Sequence, residues 1–264
     1  MTVLPGGQRV LHRLTLAVEV LGALTSRPVT APVEVRREGS RRQLLAVGGG
    51  RFLLRARPGT GDRADLRITD ATRQTVPRRL RIPLWAPAEL EAADEVPPGP
   101  FVPAASRLLR VWLAPGTAGA PGPGFTAVRG RVARGDVPVR WPRIAARGPG
   151  GIVVGRTHGD ERGEFLLPLT GPGALPPPVP SQLTVDLLVH ARDLDEPSPD
   201  PLADLPLESV PRSSSPPLPA DLDNPLLRGV SPPAGYVPST APVPTVDVAV
   251  GDLLLLPEPL QFTP

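Results

Sequence analysis

Proline occurs 40 times among the 264 residues of this chain, and glycine 27 times. Each proline removes a backbone donor and collides with the carbonyl one helical turn earlier, so long helices are excluded. Yet 40% of the residues are hydrophobic, which separates the chain from a disordered Pro-rich polymer. Short strands joined by Pro- and Gly-rich turns satisfy both constraints. They predict an all-β architecture of two antiparallel β-sandwich modules with Pro-rich loops.

Alternation supports strands directly. In "LTLAVEV", Leu14, Leu16, Val18 and Val20 fall in one phase and Thr15, Ala17 and Glu19 in the other, the mark of a half-buried strand. The pattern recurs at Val33/Val35, Phe52/Leu54, Leu66/Ile68 and Leu80/Ile82, each run bounded by turn signals such as "REGS" and "TDATRQ". Arginine fills the polar phase and reads as the solvated face. Residues 1–86 therefore form a first module. Residues 87–105, "PAELEAADEVPPGPFVPAA", are a linker with room for a helical turn or two before "PPGP" ends it.

The second module spans 106–264, with strands in "RLLRVWL", "FTAVRGRVA", "GIVVGRT", "EFLLPL", "QLTVDLLVHA" and "TVDVAVGDLLLLP". Between the last two runs, 193–242 is an extended, acidic, Pro-rich excursion. A stretch of that length points to an interaction segment; Asp193, Asp195, Glu196 and Asp200 are its candidate contact residues. Trp141, between Arg140 and Pro142, is the tryptophan expected to be exposed, and joins that candidate set.

Chemistry is constrained by what is missing. There is no cysteine, so disulfides and thiolate metal sites are excluded. All 29 basic residues are arginine, which excludes a P-loop lysine or a Schiff base. Neither a nucleophile elbow, nor H-E-x-x-H, nor a dinucleotide fingerprint is present. The acids of 193–200 lack the calcium-loop spacing with its central glycine, and no cofactor is expected. The net charge of +3 hides polarity: residues 1–90 carry 16 arginines against 7 acids, whereas 176–264 carry 3 against 12. Such polarity steers association with protein partners. The basic surface lacks the interleaved aromatics of a nucleic-acid binder. Without a signal-like apolar core at the N-terminus or a membrane-length apolar run, cytoplasmic synthesis is expected, with release as part of a particle an open route.

"THGDERGEF" (157–165) reads as a turn between strands. Thr157 and Asp160 flank it, Gly163 supplies a positive φ, and Phe165 enters the next strand and plugs the core. His158 is then expected to be a solvated turn residue. Together with Val128, Gly130, Val132, Pro138 and Val139, these residues resemble the carboxypeptidase regulatory-like domain of the transthyretin-like β-sandwich group, over about residues 125–170. Its pattern runs V-x-G-x-V, then x-P-V-x-x-A, then T-x-x-D-x-x-G-x-F. Pro142 and Ile144 depart from it where the family favours alanine. The resemblance implies a non-enzymatic spacer or docking module. The Pro- and Arg-rich two-module chain is also loosely similar to accessory subunits of phage-tail-like contractile injection particles. The expected function is a structural or adaptor subunit of a large protein assembly, in homo- or hetero-oligomeric contact with other subunits, without nucleic acid or membrane. The alternatives are a surface or secreted module binding carbohydrate or protein, and an accessory domain of a hydrolase.

Overall fold

A computed structural model describes residues 2–3, 9–10, 14–40, 43–55, 61–94, 102, 107–120, 122, 124–169, 180–194, 197–212 and 224–264. The chain is all-β, with one short α-helix among the described residues. Two two-residue strands, β1 (Thr2–Val3) and β2 (Arg9–Val10), pair with each other. The first half then runs β3 (Leu14–Gly22), β4 (Val33–Arg37), β5 (Leu45–Gly48), β6 (Arg51–Arg55), β7 (Arg63–Asp70), β8 (Arg78–Pro83), α1 (Pro87–Asp94) and β9 (Leu108–Leu113). The second half adds β10 (Ala127–Arg134), β11 (Val137–Pro138), β12 (Arg143–Arg147), β13 (Val153–His158), β14 (Glu164–Pro168) and β15 (Gln182–Arg192). It ends with β16 (Leu207–Ser209), β17 (Tyr236–Pro238), β18 (Thr245–Ala249), β19 (Leu253–Leu255) and β20 (Leu260–Gln261).

Four larger sheets enclose two apolar clusters. The first cluster takes Leu16, Val18 and Val20 from β3, Val35 from β4, Leu66 and Ile68 from β7, and Leu80 and Ile82 from β8. Its sheets have the orders β16-β8-β7-β4 and β5-β6-β3-β9. The second cluster takes Val128 and Val132 from β10, Ile144 from β12, Phe165 and Leu167 from β14, and Val185, Leu187 and Val189 from β15. Its sheets are β11-β10-β14, with β19 and β20 also on β10, and β13-β12-β15-β17, with β18 also on β15. Every second side chain of a strand points to one face, so the alternating burial of β7 and β8 places Leu66, Ile68, Leu80 and Ile82 in one core.

The sheets are mixed rather than purely antiparallel. β9 lies parallel to β3, β16 parallel to β8, and β19 and β20 parallel to β10. A parallel partner arrives from a distant part of the chain, so no local turn announces it. Two expectations change as a result. The strand at "LLRVWL" belongs to the first pair of sheets, although it follows the linker at 87–105. The described residues of 193–242 do not stand apart from the core either: β16 pairs with β8, β17 pairs with β15, and Leu205, Glu208 and Leu227 are buried. Isolated apolar and acidic anchors between prolines are enough to seat such a segment, and their spacing has no period to read. In α1 the Ala86 N–H donates to the Glu89 carboxylate at 2.7 Å, half of a capping box, and Pro87 occupies the first helical position, where its missing donor costs nothing.

Candidate functional site

The turn after β13 is built by one carboxylate. Asp160 Oδ1 accepts from the N–H groups of Arg162 (2.9 Å) and Glu164 (3.0 Å), and its carbonyl accepts from Trp141 N–H at 3.0 Å. Gly163 has φ +74°, and a Cβ there would lie 2.4 Å from the Val132 carbonyl oxygen. No other residue fits that position without moving β10. Phe165 is fully buried opposite Gly130 on the β10–β14 pair, and the missing side chain of Gly130 leaves room for the ring.

Two candidate residues lie elsewhere than expected. His158 is the last residue of β13, paired across from Arg143, and is 3% exposed. Its Nε2 lies 3.3 Å from the Gly229 carbonyl oxygen. Burial, followed by the positive charges of Arg143 and Arg78, holds its pKa well below the ordinary histidine value. It is a packed strand residue and not a solvated one, because the segment around Gly229 closes over it. Trp141 is 1% exposed and not a surface platform. Its backbone is left-handed (φ +56°), which turns the ring inward onto Val76, Ala114, Leu202 and Leu205. Its Nε1–H donates to the Pro201 carbonyl at 3.0 Å. Trp85 and Trp112 are buried as well, and the Arg212 guanidinium stacks 4.0 Å from the Trp85 ring centre.

Of the acidic candidates, Asp193 makes an exposed 2.6 Å pair with Arg134. Asp200 caps a one-turn 3-10 helix at Pro201–Ala203 by accepting from Leu202 N–H at 3.0 Å. Asp195 and Glu196 lie outside the described residues. His190 is a half-buried residue of β15, and His12 lies outside the described residues. Among the described residues no group of three His, Asp or Glu side chains is arranged to hold a metal ion.

Trp141, Asp160 and Asp200 come together in the lining of one cleft of about 620 Å³. The lining also includes Glu34, Arg36, Arg67, Asp70 and Arg73. Arg73, also left-handed (φ +57°), crosses the cleft to pair with Glu161. Left-handed backbone costs a non-glycine residue about 1–2 kcal/mol, and such strain concentrates where side-chain direction matters. The carboxylates here are already engaged. Asp70 accepts from the backbone and hydroxyl groups of both Thr72 and Thr75, Asp160 and Asp200 cap turns, Glu161 holds Arg73, and Glu34 holds Arg36. Asp70, Asp160 and Asp200 fasten loops in this way, and Glu161 and Glu34 each hold a guanidinium.

The strongest feature near the cleft was not anticipated. Arg78 on β8 is wholly buried and pairs with Glu208 on β16, which also accepts from Arg143 on β12 at 3.1 Å. Arg78 further donates to the carbonyls of Trp112, Leu226 and Leu227. Arg143 stacks 5.5 Å from the Tyr236 ring centre, and the Tyr236 hydroxyl donates to the Trp141 carbonyl at 2.8 Å. Burial pushes the Tyr236 phenol up to about 12. This knot joins β8, β9 and β16 of the first pair of sheets to β12 and β17 of the second pair. A signal for it existed: Arg78 falls in the same strand phase as Leu80 and Ile82, the core phase.

Comparison with protein-family models, curated proteins and solved structures found no match to this chain.

Proposed function

We propose that the chain is a non-catalytic structural or adaptor subunit of a larger protein assembly, with a phage-tail-like contractile injection particle as the specific candidate. The observation that carries this reading is the buried Arg78–Glu208–Arg143 knot. Together with Trp141 it ties the two halves through charged groups shielded from salt, which suits a spacer that transmits position. A buried pair of this kind adds little net stability over an apolar contact; its use is to specify one geometry. The two pairs of sheets are read as two β-sandwiches. The transthyretin-like reading of the second is supported by Gly130 and Phe165, motif positions that face each other across β10–β14.

The half-buried charged face of the sheet β16-β8-β7-β4 supports docking to other proteins. There Glu38 bridges Arg67 and Arg79 at 2.8 and 2.7 Å, and Asp65 pairs with Arg81 at 2.9 Å. Such a ladder presents fixed charges to a partner and favours specificity and encounter rate over affinity. The carbohydrate reading loses its support with the burial of all three tryptophans. The test is fractionation of a native lysate on a density gradient, with the chain followed by antibody. Co-sedimentation with a megadalton particle, retained after mild salt, is expected. Recovery of the chain only at monomer size from cells that assemble intact particles would overturn the proposal.

A further inference from the structure

A smaller recess, of about 160 Å³, opens beside the knot, and its lining contains two guanidinium groups, Arg156 and Arg228, but no carboxylate. Both arginines are exposed, and neither is engaged by a carboxylate among the described residues. Arg156 and His158 stand two apart on β13 and so share one face of the strand. Below them, Arg78 and Arg143 share the single carboxylate of Glu208, which leaves the surroundings positive.

The His158 ring adds a second kind of selectivity. A carbonyl oxygen only accepts, so the contact with Gly229 puts the proton on Nε2 and leaves Nδ1 as a lone pair. Nδ1 is buried and has no partner among the described residues. Gly229 is required for this arrangement, since a Cβ on it would lie 2.6 Å from Nε2. The recess therefore combines donors for an anion with a buried ring nitrogen that only accepts, and the Thr157 hydroxyl in the same lining is also buried without a partner among the described residues.

We propose that this recess binds a tetrahedral oxyanion that keeps one hydroxyl, hydrogen phosphate being the simplest. Arg156 and Arg228 donate charge-assisted hydrogen bonds to its anionic oxygens, and its hydroxyl donates to His158 Nδ1. Sulfate matches the shape and charge but carries no hydroxyl at neutral pH, so it leaves Nδ1 buried and unpaired. Sites with such a buried polar group discriminate strongly against analogues that lack the matching group. The free ion is the source that fits, because a phosphomonoester has its second pKa at about 6 and is mostly a dianion without a phosphoryl hydroxyl at neutral pH.

The test is calorimetric titration of the full chain at neutral pH and low salt, in a buffer free of other oxyanions, with inorganic phosphate, sulfate and glycerol phosphate in separate runs. Saturable one-to-one binding of phosphate is expected, with sulfate weaker by about tenfold or more, the loss for one unmade bond to a charged or buried partner. R156A and R228A should each weaken phosphate binding by about tenfold for the same reason. Both positions are exposed, so the unfolding midpoint in phosphate-free buffer should not move. Glycerol phosphate, whose phosphoryl group carries no hydroxyl in its main form at neutral pH, should bind as weakly as sulfate; binding as tight as that of phosphate would show that the hydroxyl is not read and would overturn the proposal. Absence of saturable phosphate binding, equal binding of sulfate and phosphate, or binding that survives the double arginine variant would each overturn the proposal. The comparison of phosphate with sulfate on the unaltered chain keeps the test decisive even if a variant fails to fold.

Discussion

Glu208→Gln removes one charge from the knot and changes the volume little. In the native chain, Glu208 is the carboxylate for two guanidiniums, on Arg78 and Arg143, and all three side chains are nearly or wholly buried. After the substitution Arg78 keeps its carbonyl acceptors on Trp112, Leu226 and Leu227. Arg143 keeps only a long 3.5 Å contact to the Trp141 carbonyl and its stacking on Tyr236. Two buried cations then lack a counter-ion, and removing one partner of a buried pair costs about 3–5 kcal/mol. Against a total stability of about 5–15 kcal/mol, that is at least about a fifth of what holds the chain folded. Urea denaturation followed by tryptophan fluorescence measures it, since Trp112 and Trp141 flank the knot. Arg143→Met is the control: it leaves Glu208 matched one-to-one with Arg78 and should cost less than Glu208→Gln. A loss below about 1 kcal/mol for Glu208→Gln, the scale of an exposed pair, would refute the reasoning. So would a larger loss for Arg143→Met.

Three further outcomes are expected. Gly163→Val should lower stability by about 2–4 kcal/mol, from left-handed strain of about 1–2 kcal/mol with the rest from contact with the Val132 carbonyl; thermal denaturation checks it. Trp141→Ala should cost about 3–5 kcal/mol, the usual range for a buried aromatic, and should loosen the two halves together, read as faster amide exchange on both β8 and β12. The third concerns pH. His158 has a depressed pKa in the folded chain, so the unfolded chain binds its proton first; stability is full above the unfolded value and declines as pH falls through about 6.5, by up to about 1.4 kcal/mol per pH unit. The decline from pH 7 to 5 should be shallower in His158→Gln; His190, also lowered by burial, leaves a remaining slope common to both proteins, while Asp65, Asp186 and Glu38, whose folded values are lowered too, act only in the more acidic range below their ordinary values. Equal slopes for the two proteins would remove His158 as the cause.

Much of the strand content was legible because alternation is a local property. Leu66, Ile68, Leu80 and Ile82 announce a buried face within two short runs, and a carboxylate three residues before a glycine announces a turn, as Asp160 and Gly163 do. The turn residues were readable for the same reason: a backbone N–H needs an acceptor within a few residues, and a positive φ needs glycine. What lay beyond reach was every relation between distant parts of the chain. His158 looked solvated because nothing nearby predicts that Gly229 will cover it. Trp141 looked exposed because its flanking arginine and proline are polar-surface neighbours, whereas its left-handed backbone turns the ring into a junction built from Val76, Ala114 and Leu205.

By itself, then, the sequence determined an all-β chain without long helices, because prolines veto helical hydrogen bonding wherever they stand. It also determined the turn at 157–165, where the Asp160 carboxylate accepts from N–H groups within four residues of it. The tertiary structure alone decided which strands are parallel partners and where β9 and β16 belong. It also decided that Arg78, Glu208 and Arg143, separated by up to 130 positions, meet in one buried site. Strand pairing over such distances is set by which complete set of faces can be covered at once, and a buried charge is tolerated only where its partner arrives with it.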